Sequence, residues 1–110
     1  MRVYELMIII DVDVDDLANK AVQARVVELI EAEGGSIAST DVWGRRRYAY
    51  PINHKTEGFY ILHEVLTPGA NLAELDRFLR LADEVVRHKI IRLPENEATR
   101  RGLLAAAAAG

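Results

Sequence analysis

The chain has no cysteine. That excludes disulfides, thiolate zinc sites and thiol catalysis. It has no membrane-spanning apolar run: residues 6–10 fall far short of the ~20 that a bilayer requires. The first residues, Met1-Arg2-Val3-Tyr4-Glu5, put an acid where an export signal needs an apolar core, and no small-residue cleavage site follows. The expectation is a soluble, intracellular protein. No glycine-rich phosphate loop is present, because Gly34-Gly35 follows a helical stretch where such a loop would open one. Neither sign of charge dominates, with 14 basic and 17 acidic residues and a net charge of −3. A net acidic protein is not steered to nucleic acid by its overall charge, which argues against non-specific DNA binding.

What is there is ordinary globular composition. Half of the 110 residues are hydrophobic and 28% are charged, which suits a single domain with one core. Charge is uneven along the chain. Residues 1–40 hold three basic residues (Arg2, Lys20, Arg25) and eight acidic ones, and residues 41–110 hold eleven and nine. Two stretches carry no acid at all. One is 42–56, with Arg45, Arg46, Arg47 and Lys55; the other is 85–94, with Arg87, Lys89 and Arg92. Local basic patches of this kind can contact phosphate.

The hydrophobic pattern predicts a strand over 3–11, with Tyr4, Leu6, Ile8 and Ile10 toward the core and Val3, Glu5, Met7 and Ile9 away from it. Asp15 or Asp16 can cap a helix running to about residue 33, whose stripe is Ala18, Val22, Val26, Leu29 and Ile30. Gly34-Gly35 ends it, since glycine takes the left-handed cap conformation without steric cost. A long strand follows over 36–52. Gly44 marks a bulge or bend in it, and Pro51 fits only at an edge or an end. Residues 53–58 read as a polar turn and 59–66 as a strand, with Phe59, Ile61, His63 and Val65 inward. Asn71 followed by Glu74 resembles a capping box for a helix striped by Leu72, Leu75, Leu79 and Ala82. Residues 85–93 form the last strand. The chain then divides into a domain over 1–93 and a mobile tail over 94–110.

Strand, helix, strand, strand, helix, strand is the order of the split βαβ, ferredoxin-like fold. This α+β arrangement covers one face of a four-stranded antiparallel sheet with two helices. The second and fourth strands are then its edges, and both basic stretches lie on them. Charged edges also block unwanted strand pairing, so each patch has a binding reading and a protective one.

Candidate chemistry is thin. Asp11, Asp13, Asp15 and Asp16 suggest a calcium loop, but Asp16 and Val22 stand where Gly and Glu are required. A helix N-terminus carrying acids to suit its dipole explains them better. His54, His63 and His88 share no ligand spacing, and His63 and His88 read as satisfied or boundary histidines. No set of residues makes a catalytic constellation, so no enzyme activity, cofactor or metal is expected. A base-stacking platform on the open sheet face also fails, since the first strand offers it no aromatic and the third adds Glu64 beside Tyr60.

The most informative stretch is Trp43-Gly44-Arg45-Arg46-Arg47-Tyr48-Ala49-Tyr50-Pro51-Ile52-Asn53. Arginine and tyrosine are favoured interface anchors, and arginine matches phosphate with a planar fork. With the opening Met1-Arg2-Val3-Tyr4-Glu5-Leu6-Met7-Ile8, the Glu57-Gly58-Phe59-Tyr60 segment and the run from Leu75 to Lys89, it resembles the bacterial small-subunit ribosomal protein S-six family. Order and spacing fit over residues 1–93. Tyr48 departs from the family's usual Leu, and Asp13 from a common proline.

The resemblance implies a structural, non-enzymatic component of the small ribosomal subunit in the cytoplasm, with the ferredoxin-like fold. It implies pairing with ribosomal protein S-eighteen and joint binding to the central domain of small-subunit ribosomal RNA, without membrane or DNA partners. On that basis Arg2, Arg45, Arg87, Lys89 and Arg92 are the expected RNA contacts, with Arg45 able to serve either partner. Arg46, Arg47, Tyr48, Tyr50 and Ile52 are the expected partner-protein edge. Two other classes share the strand order. An acyl-phosphate hydrolase would need a phosphate loop where this chain has Asp11 to Asp16. A small metabolite-sensing regulatory domain would bind its ligand at a sheet-mediated dimer interface.

Overall fold

The computed structural model describes residues 2–52, 54–69 and 72–100. In chain order the elements are β1 (Arg2–Asp11), α1 (Asp16–Ala32), β2 (Ser36–Ile52), β3 (Lys55–Thr67), α2 (Ala73–Leu81), β4 (Val85–Arg92) and α3 (Glu95–Arg100). The strands form one sheet in the order β2-β3-β1-β4, with every neighbouring pair antiparallel. This is the split βαβ, ferredoxin-like topology, with β2 and β4 at the edges.

The core lies between the sheet and the first two helices. Tyr4, Leu6, Ile8 and Ile10 from β1 meet Val22, Val26 and Ile30 from α1 and Leu75 and Leu79 from α2. These are the inward series that the alternation and the helical stripes predict. The Asp15 carboxylate accepts from the Ala18 amide at 2.7 Å, capping α1. Gly34, at φ +77°, follows the helix end in the left-handed conformation. Asn71, expected to cap α2, lies outside the described residues. Leu72 takes the cap position, at φ 58° and with no side-chain cap bond. Its side chain is fully buried, and that burial opposes the strain of a left-handed leucine.

Three local features depart from the expected pattern. Val3 and Ile9 belong to the outward series of β1 yet are buried. Val3 pairs with buried Leu66, and its carbonyl accepts the Leu93 amide at 2.8 Å. Ile9 lies beside Gly58 under the Tyr48 ring. β3 begins at Lys55, four residues before the expected start, because His54 takes a positive φ of 65° and tightens the turn. Finally, residues 95–100 of the tail form α3, and 101–110 lie outside the described residues.

β2 departs from a regular ladder in three places. Its pairing with β3 shifts between Ile37 and Ser39, between Val42 and Gly44, and between Arg47 and Ile52. At the second, Trp43 and Gly44 together oppose Tyr60, with Gly44 at φ +77°. A straight strand of this length would reach roughly 50 Å or more. The molecule's longest extent is 44 Å, so these irregularities also bend the strand over the sheet.

Candidate functional site

The register of β1 against β4 sets Met7 opposite Lys89 and Ile9 opposite Arg87. Directly paired residues share a face, so both cations stand on the side of the sheet away from α1 and α2. With Glu5, Trp43, Leu62 and Ile91 these residues line an open groove of about 380 Å³. The ion pairs among the described residues engage Lys20, Arg25, Arg45, Lys55, Arg80 and His88. Arg87 and Lys89 are in none of them. The groove thus has an apolar floor and two cations on the β4 side, which suits an anionic partner at that rim.

An aromatic row crosses the same face toward β2. Trp43 stacks on Tyr60 with ring centroids 6.3 Å apart and planes within 7°. Tyr48 tilts against Tyr60 at 6.4 Å. The Arg46 guanidinium lies 5.6 Å from the centroid of the Trp43 ring, in cation–π range. The indole N–H donates to Asp41 Oδ2 at 3.0 Å. Tyr60 is therefore not the lone aromatic of the open face. The Gly44 bulge, suggested by the sequence, is what brings Trp43 beside it.

The three consecutive arginines divide between the two faces. Arg46 pairs with Gly58 and faces the open side, while Arg45 pairs with Phe59 and Arg47 with Glu57. Arg45 reaches the Glu57 carboxylate at 3.5 Å on the helix side. The structure does not bring it together with Arg87 and Lys89. Arg2 and Arg92 pair with Thr67 and Tyr4 at the far end of the sheet, also on the helix side. The five expected RNA contacts thus occupy three separate places. The expected partner edge is more compact. Tyr50 is 65% exposed, so it is an edge residue and not core. Tyr48 is half-buried over Gly58, and Ile52 closes the strand opposite Lys55. The Tyr48 hydroxyl is buried with no hydrogen-bond partner, and burial pushes its phenol above the usual value.

Lys55 was not singled out from the sequence. Its ammonium donates to Asp11 Oδ1 at 2.7 Å and also engages Asp13 Oδ2. Asp11 is held in place by the Asp13 amide, which donates to the same oxygen at 2.9 Å. The hydrogen bond from Lys55 draws the Asp11 carboxyl below its ordinary pKa, and the bonds to Asp11 and Asp13 raise that of Lys55. The two partners agree in direction, as a real ion pair requires.

His63 and His88 are both satisfied structurally. His88 Nε2 lies 2.7 Å from Asp76 Oδ1 and ties β4 to α2. His63 sits between Thr40 and Gln23, at 2.8 and 2.9 Å. Among the described residues no group of three His, Asp or Glu side chains is placed to hold a metal ion.

The family model of ribosomal protein S6 matches residues 3–92, nearly the whole described sheet and both of its longer helices. The chain belongs to the ribosomal protein S6 family. The small ribosomal subunit protein bS6 of Salinispora tropica is 45% identical over 92 residues, covering 84% of this chain and 96% of that one. The bS6 of Corynebacterium efficiens is 43% identical over 93 residues, covering 84% and 98%. The crystal structure of 30S ribosomal protein S6 from Thermotoga maritima superposes with a TM-score of 0.78 at 32% identity, covering 91% of this chain and 94% of that one. The S6 family is one of structural ribosomal proteins, not enzymes, and its members work in the small subunit of the cytoplasmic ribosome.

Proposed function

We propose that this S6-family chain binds the central domain of small-subunit ribosomal RNA jointly with ribosomal protein S-eighteen. The observation that carries the reading is the separation of two surfaces. Arg87 and Lys89 stand on the open face, outside the ion pairs of the described residues. The β2 edge, two strands away across β1 and β3, presents Arg47 and exposed Tyr50, with Arg46 over Trp43 on the open face between the two. One surface suits phosphate, and the other suits a protein with aromatic and arginine anchors.

The charge balance supports a shared task. With a net charge of −3, this chain gains from a basic partner that supplies phosphate neutralisation, and its acids help to attract that partner. RNA shape then provides most of the selectivity, with the cations fixing register.

The test is a salt-series titration of central-domain RNA with this protein alone and with S-eighteen added. Strong binding only with both proteins present supports the reading. Tight binding by this chain alone would move the arginines of β2 to the RNA side. Absence of binding in both cases overturns the proposal.

A further inference from the structure

The tip of the β2–β3 hairpin has little backbone pairing of its own. From Gly44 opposite Tyr60 the ladder runs in register to Arg47 opposite Glu57, then breaks, and resumes only with Ile52 opposite Lys55. Residues 48–51 therefore face Thr56 alone, so ladder hydrogen bonds do not fix where they sit. Yet this segment carries Tyr48 and Tyr50. Two side-chain contacts hold it. Tyr48 lies across Gly58 and Ile9, a position that the absence of a Cβ at Gly58 permits. Lys55, one residue past the turn, reaches the Asp11 and Asp13 carboxylates at the end of β1.

We propose that Lys55 is a positioning residue: by bridging Asp11 and Asp13 it fixes the hairpin tip, and with it Tyr48 and Tyr50, in the orientation that receives the partner protein. The inference rests on the proposed role of β2 as the S-eighteen edge. Its chemistry needs a cation with several donors, since one ammonium serves two carboxylates from a side chain that is 33% exposed. A neutral residue at 55 leaves Asp11 and Asp13 facing each other without a counter-charge and frees the tip. Arginine supplies the charge and the donors, so it substitutes for lysine here.

The experiment uses the full chain with Lys55→Gln, Lys55→Arg and the milder Asp13→Asn, whose site is exposed. The first readout needs no partner: amide hydrogen exchange across residues 44–58. The second is affinity for S-eighteen, measured beside Tyr50→Ala. Lys55→Gln is expected to speed exchange at the tip and to weaken S-eighteen binding by about threefold to fivefold, in line with a partly exposed ion pair. Lys55→Arg restores both, and Asp13→Asn shows a smaller effect of the same sign. Unchanged exchange in Lys55→Gln overturns the latch. Faster exchange with undiminished affinity overturns the positioning role; if Tyr50→Ala still weakens binding, the partner edge stands without it. If neither Tyr50→Ala nor Lys55→Gln weakens binding, the edge assignment itself fails, and the inference with it.

Discussion

His63 sits on the inward face of β3 with both ring nitrogens engaged. Gln23 Nε2 donates to Asn19 Oδ1 at 3.2 Å, which turns the Gln23 carbonyl oxygen toward the imidazole. That oxygen can only accept, so His63 Nε2 carries the proton and Nδ1 accepts from the Thr40 hydroxyl. The ring is held neutral, and its burial lowers the pKa from 6.5. The unfolded chain therefore takes up a proton at higher pH than the folded one. Stability from this site is complete above the unfolded value and falls as the pH drops through it, until the folded ring protonates too. Urea unfolding at about pH 7.5 and about pH 5.5 checks this. The native chain is expected to lose more stability between the two than His63→Gln does. His54 and His88 are present in both proteins, so the difference isolates residue 63. Equal losses would show that His63 titrates alike in both states. The sequence placed His63 inward by alternation, but its partners lie 23 and 40 residues away and no local spacing announces them. The same distance hid Lys55, which stands 44 residues from Asp11.

At the scale of elements, what was legible depended on whether a strand keeps its register. β1 alternates without interruption against β3, so its inward series could be read directly. The three register shifts of β2 reset the alternation, and no period of two assigns its faces. Gly44 signalled the second shift, but not its consequence. With both Trp43 and Gly44 opposite Tyr60, Arg46 faces the open side and Arg45 the helices. An unbulged ladder over the same residues would exchange them. Gly44→Ala tests how firmly this is held. A Cβ at Gly44 meets nothing within 4 Å, so the substitution carries no steric clash. The cost is that of an L-residue at φ +77°, about 1–2 kcal/mol. Denaturant unfolding should show a loss of that size. Unchanged stability would mean that the bulge does not need a left-handed residue. Trp43 is the only tryptophan, so its fluorescence reports separately whether the stack on Tyr60 persists.

For the whole molecule, the fold separates cations that the sequence groups by edge. Arg87 and Lys89 share the open face, Arg2 and Arg92 the far end of the helix side, and Arg45 an ion pair with Glu57. These three places cannot all meet one RNA surface in the same way, and the salt dependence of binding can tell them apart. Each phosphate contact made by a cation releases condensed counterions and contributes slightly less than one unit to the slope of log affinity against log salt. If Arg87 and Lys89 both meet phosphate, replacing both with Ala lowers the slope of the complex with S-eighteen by roughly 1.4 to 1.8 units. Both side chains are exposed on an otherwise complete strand, so the variant keeps the core intact. The same pair of replacements at Arg2 and Arg92 measures the other end of the sheet, and Arg45→Ala measures the helix side of β2. A slope unchanged by the Arg87 and Lys89 replacements would remove the open face from the RNA interface. A loss of affinity with that slope unchanged would assign both cations to the partner protein, because carboxylate pairing across a protein interface does not release the RNA's condensed ions.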